Sequence, residues 1–181
     1  MKNTSLRRAL RLTLPLLLLA LCLTLNSCFF LIPAPAEPTP VDPADLGAPQ
    51  TFSKAGITLT LTDKFKEEQS ERGFDAYYTT DYCGVVVLKE PFTLEAGLAE
   101  EPLEQYIKNV IKNNGHENIE PQNKDGLWYY VNYNNSSYRC VYSYAYKGTD
   151  AFYVVQYIIN TVDEETLKPV IHEWAKATSV K

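Results

Sequence analysis

Histidine is nearly absent from these 181 residues, with only His116 and His172 present. Neither has Cys or acid grouped beside it at ligand spacing, so no zinc or other metal site is read, and both histidines are expected at helix ends or facing solvent. Acidic residues are missing altogether before Glu37, while Lys2, Arg7, Arg8 and Arg11 crowd the amino terminus. Setting those four bases aside takes the formal charge from −5 to about −9 for the remainder. A body that acidic repels nucleic-acid phosphates, which excludes nucleic acid as an expected partner. Catalytic signatures are lacking as well. Glu67-Glu68, Glu100-Glu101 and Glu164-Glu165 are neighbours in sequence and point apart, whereas working carboxylate pairs face each other across a substrate, so all three read as solvated faces. No catalytic residue and no cofactor is implied, and the chain is not expected to be an enzyme.

What the amino terminus does contain is a three-part export signal: a basic stretch, the apolar run Leu12 to Leu25, and the small polar pair Asn26-Ser27. Leu25-Asn26-Ser27-Cys28 resembles the lipobox of bacterial lipoproteins, in which the cysteine receives a diacylglycerol thioether. The resemblance implies a signal peptide over 1–27, lipid on Cys28, and a membrane as partner through that lipid. The alternative is an uncleaved single N-terminal transmembrane anchor over Leu14 to Ile32. Both readings place the body on the extracytoplasmic face, because the positive flank stays in the cytoplasm. From Pro33 to Pro49 six prolines are interleaved with Ala, Glu, Thr and Asp. Such a segment favours polyproline II and lacks amide donors, so 28–49 reads as a tether that stays out of any sheet.

The body, residues 50–181, is long enough for one domain. Ile57-Thr58-Leu59-Thr60-Leu61-Thr62 alternates strictly and predicts a half-buried strand, with Phe52 starting its hairpin partner across Ala55-Gly56. Phe74 to Thr80 and Cys83 to Lys89 read as strands, the second a continuous apolar run that suits a strand covered on both faces. After Pro102, the spacing of Leu103, Tyr106, Ile107, Val110 and Ile111 predicts an amphipathic helix ending at Gly115. Three strands follow, over 127–133, 138–146 and 151–161. Closing the first turn around Asn135-Ser136 pairs Tyr133 with Tyr138, Val131 with Cys140 and Tyr129 with Tyr142. A last helix carries Leu167, Val170, Ile171 and Trp174 inward. Pro169 belongs in its first turn, which makes Thr166 the expected N-cap.

These elements give an α+β fold, mainly antiparallel sheet packed between helices. In Phe52 to Leu61, Leu103 to Asn114, the meander and the closing Trp174 helix, the chain resembles the family joining the PsbP extrinsic protein of photosystem II, the Ran-binding Mog-type import factor and the bacterial DcrB-like lipoproteins. The resemblance covers about Phe52 to Val180 and implies a sheet between helices with a history of binding roles. No motif matches the metal-related residues or the Ran-contact surface of that family, so neither is carried over.

Cys83 and Cys140 are the two cysteines left for the body. They read either as a disulfide or as small buried side chains, and neither has basic neighbours marking a nucleophile. Tyr129, Tyr133, Tyr138 and Tyr142, with Tyr144 a further candidate, fall on one face of the meander. The first reading is a packed face, since tyrosine suits half-buried strands. The second is an open platform for a protein, peptide or glycan partner. Asn134-Asn135-Ser136 fits a glycosylation sequon but reads here as a turn. Three functions follow in order: a non-catalytic binding or assembly module, a solute-capturing lipoprotein of a transporter, and a surface enzyme with a non-local site.

Overall fold

The computed structural model describes residues 39–69, 73–94 and 97–181. The signal segment, Cys28 and the tether up to Pro38 lie outside the described residues. Among the described residues no helix is long and apolar enough to cross a membrane.

The chain enters through an arm, residues 39–48, and then forms the hairpin β1 (Pro49–Lys54) and β2 (Ile57–Thr62). Ala55 and Gly56 both take positive φ, 56° and 92°, as a two-residue primed turn requires. Next come β3 (Lys66–Glu67), β4 (Ala76–Thr79) and β5 (Cys83–Pro91), then helix α1 (Leu103–Asn113). The second half runs β6 (Gln122–Lys124), β7 (Leu127–Asn134), β8 (Arg139–Lys147), β9 (Ala151–Asn160), helix α2 (Glu164–Lys176) and β10 (Ser179–Val180). Seven strands form one antiparallel sheet in the order β3-β4-β5-β9-β8-β7-β6, and β1-β2-β10 form a second. The α+β class with mainly antiparallel pairing is what the sequence pattern predicts.

Alternation along the strands divides the large sheet into two faces. One carries Val85, Val87, Tyr142, Tyr144, Val155 and Tyr157 into the main core, beneath α2 and the small sheet. Leu167 and Ile171 of α2 are fully buried there, and Phe65 meets Trp174 edge to face at 5.5 Å. The opposite face carries Tyr130, Ala145, Phe152 and Val154 against Tyr106, Ile107 and Ile111 of α1. Each buried residue of that helical stripe contributes roughly 1.5–3 kcal/mol by removal from water. Asn114 closes α1 with its side-chain amide on the Val110 carbonyl (2.8 Å), and Gly115 at φ 72° turns the chain away. Helix α1 packs on β7, β8 and the Phe152–Val154 part of β9, so the second face is covered over only part of its extent.

Three expectations change. The folded body begins well before Gln50: the Val41 amide donates to the buried Asp163 carboxylate (2.9 Å), the Tyr82 hydroxyl donates to the Leu46 carbonyl (3.1 Å), and Leu46 joins the core. Pro49 itself opens β1 opposite Thr62, because a proline at the first residue of an edge strand forfeits no ladder bond. The β7–β8 register lies two residues from the expected one. Tyr133 pairs with Cys140, Val131 with Tyr142 and Tyr129 with Tyr144. The cause is Asn134, whose side-chain oxygen accepts from the Ser136 hydroxyl (2.7 Å) and the Ser137 amide (3.3 Å), making a four-residue loop that leaves Tyr138 at φ 52°. Last, α2 starts at Glu164, not after a Thr166 cap, and Pro169 lies inside it. One forfeited amide bond is outweighed by seating Leu167 and Ile171.

Candidate functional site

The tyrosine face is core over most of its extent. Tyr142 is 1% exposed, Tyr144 2% and Tyr129 7%, so the open-platform reading is corrected for these residues. A slip of two keeps every side chain on its face, which is why the grouping survives the register change while its partners do not. The hydroxyls find acceptors at the edge of the core: Tyr142 and Tyr133 both donate to Glu164 Oε1, at 2.5 and 2.6 Å, and Tyr129 donates to Gln122 (2.7 Å). Glu164 is therefore a half-buried acceptor and not part of a solvated acidic face. The Glu164 hydrogen bond, with burial behind it, pushes the Tyr133 phenol up to about 12. Burial first and then the Glu164 bond push Tyr142 further still. Tyr133 is half exposed, and Tyr138, 75% exposed, sits in the loop away from the face.

The cysteines are free and buried. Both lie opposite Ile159, Cys83 from β5 and Cys140 from β8, so β9 runs between them. Two strand spacings of about 4.8 Å exceed the roughly 7 Å Cα limit of a disulfide, which removes the bridge reading. Burial raises both thiol pKa values, that of Cys140 to about 12 with Glu164 adding to it. Such thiols are inert packing groups. His172 is likewise interior and not solvent-facing: its ring nitrogens lie 3.3 Å from the Tyr144 hydroxyl and 3.3 Å from Asp125 on the β6–β7 turn. That contact lowers the Asp125 pKa. His116, after α1, meets the Asn132 side chain at 3.2 Å.

A concave surface lies where α1 leaves the sheet uncovered. Tyr77 and Thr79 of β4, Gly84 of β5, Ile158 of β9 and Arg139 of β8 project from one face there and line a depression of about 180 Å³. The register brings them together: Thr79 pairs with Gly84, Gly84 with Ile158, and Asn160 with Arg139. Asp81, on the turn from β4 to β5, forms part of the rim. Among the described residues, neither the Arg139 guanidinium nor the Asp81 carboxylate has a hydrogen-bonding or ionic partner. Both are exposed. Sequence reasoning passed over this site, since its residues are spread from 77 to 160. One local signal was present: Gly84 interrupts a strand otherwise rich in valine, and a strand glycine often marks close approach by something else.

Among solved structures the chain is similar to the solution structure of cyanobacterial PsbP (CyanoP) from Synechocystis sp. PCC 6803, at 13% identity and a TM-score of 0.49, over 78% of this chain and 97% of that one. No protein-family model matches the sequence, and no curated protein does.

Proposed function

We propose that the chain is an extracytoplasmic binding module, anchored by lipid on Cys28, that works without catalysis and takes its ligand on the uncovered part of the large sheet. The observation that carries the reading is the depression at Gly84, a mostly polar concave surface with two charges of opposite sign at its rim that have no partner among the described residues. Polar groups left free around a concave surface are what fix the orientation of a bound molecule. The buried phenols and thiols support a non-catalytic role, since burial favours their protonated forms and so opposes nucleophilic or general-base work at neutral pH. Support for the lipid anchor remains the Leu25-Asn26-Ser27-Cys28 sequence behind an apolar run.

The test is capture from solubilised membranes by the full chain, run beside Gly84→Val. The reading expects material retained by the parent and lost by the variant at an unchanged melting temperature. Equal capture by both would overturn the assignment of this face.

A further inference from the structure

Cys83 and Cys140 flank a single residue. Ile159 of β9 is the direct partner of Cys83 on β5 and of Cys140 on β8, so the three side chains stand on one face with the isoleucine in the middle. A residue in an antiparallel sheet lies about 5.5 Å from its hydrogen-bonded partner and about 4.5 Å from the other, which puts the two cysteine Cα atoms about 10 Å apart. A disulfide needs them within about 7 Å. The cysteines cannot close that gap while β9 is in place, because Ile159 stands between them in the same closed core, where Cys83 is 2% exposed and Cys140 0%. One strand thus keeps the thiols apart, and the core around it keeps solvent out.

Chain order makes that separation conditional. Both cysteines precede β9, so a chain that emerges amino terminus first presents both thiols before Ala151–Asn160 is available to part them. Closing the loop between them is no obstacle, since closure entropy grows only with the logarithm of loop length. Folding reverses the position. Burial raises both thiol pKa values, that of Cys140 to about 12, so neither supplies the thiolate that attacks a disulfide. Unfolding lifts that burial and frees both to react.

We infer that the native sheet and a Cys83–Cys140 disulfide exclude each other: oxidation before β9 is seated locks the chain out of its fold, and seating β9 locks the thiols away from oxidant. The oxidant is a disulfide, small or protein-borne. One cysteine thiolate attacks it and expels the first thiolate, leaving a mixed disulfide, and the second cysteine thiolate attacks that bond and expels the other. The chain gives up two electrons and two thiol protons, and the reagent becomes two thiols. In the extracytoplasmic setting proposed above, disulfide-forming conditions are common, so the chain reaches its native state only where folding runs ahead of oxidation. The gate stands apart from the binding face. The full chain carrying Cys22→Ala and Cys28→Ala, in detergent, tests it with Cys83 and Cys140 as its only thiols. Unfolded in urea and treated with oxidised glutathione, it should yield a species lighter by the two thiol hydrogens, with no glutathione attached. Diluted from urea, that species should fail to regain the near-ultraviolet circular dichroism of the reduced chain, and dithiothreitol should restore it. The folded protein, given the same reagent without urea, should keep its spectrum and both thiols. In urea just below the midpoint, native signal should drain away with the oxidant and hold without it, an arm that needs no refolding. An oxidised chain that regains the native spectrum, a folded protein that takes up the disulfide with its spectrum intact, or an unfolded chain that forms no internal disulfide would each overturn the inference.

Discussion

At Glu164 one carboxylate oxygen accepts two phenols, and the two tyrosines differ in what they contribute beyond that bond. Tyr142 is closed off from water and fills core volume, whereas Tyr133 is half exposed. Tyr142→Ala should therefore cost about 3–5 kcal/mol in chemical denaturation, the range for emptying an aromatic core position. Tyr142→Phe, which keeps the ring, should cost about 1–3 kcal/mol because a partner loses its hydrogen bond. Tyr138→Ala should stay within about 0.5 kcal/mol, as its ring stands in solvent. A small loss at Tyr142→Ala would contradict the packed face. The same phenols set an alkaline limit. Their folded pKa values lie above the ordinary 10.0, so the stability they add is fully present below about pH 10 and is lost as pH rises through the folded values, about 12 for Tyr133. The denaturation midpoint should hold to about pH 10 and fall from there to pH 12, with phenolate absorbance of the buried rings appearing only as the protein unfolds. Early phenolate signal at constant midpoint would refute the burial argument.

At the scale of elements, the amino-terminal arm is the structure's main departure from a reading by composition. Proline density made residues 28–49 look like a spacer, and the two anchors inside it, Val41 and Leu46, are single apolar residues with no periodicity to announce them. Their partners, Asp163 and Tyr82, are far away in sequence. By contrast the α1 stripe and the strand alternations were legible, because local spacing alone decides which face is buried. The β7–β8 hairpin lies between these cases. Its polar residues do form a turn, but Asn134 uses its side chain to set a longer loop than the one closed around Asn135-Ser136, and a two-residue change leaves no trace in an alternation pattern. The depression was not legible beyond the strand glycine Gly84, since Gly84, Arg139 and Asp81 come onto one surface only through strand order. A chain beginning at Gln50 should melt at least about 5 °C below one beginning at Thr39, given roughly 2–4 °C per kcal/mol for a domain of this size. Asp163→Ala should lower the longer chain's midpoint and have less effect on the shorter, because the arm is one of the partners it loses. Equal melting of the two chains would show that the arm adds nothing.

For the whole molecule, the proposed lipid anchor fits the charge distribution: acidic residues outnumber basic ones after the export signal, so the body is not drawn onto anionic headgroups. Attachment should therefore depend on one atom, the Cys28 sulfur. In cells making the full chain, Cys28→Ala should leave the protein unlipidated, either released from the membrane fraction or retained as uncleaved precursor, while the parent yields an intact mass beginning at Cys28 with diacylglycerol attached. An unmodified Cys28, or a mature chain that still contains Leu14 to Leu25, would replace the lipid with the transmembrane-anchor alternative. Metabolic labelling with a fatty acid, followed by fractionation of parent and variant, separates these outcomes.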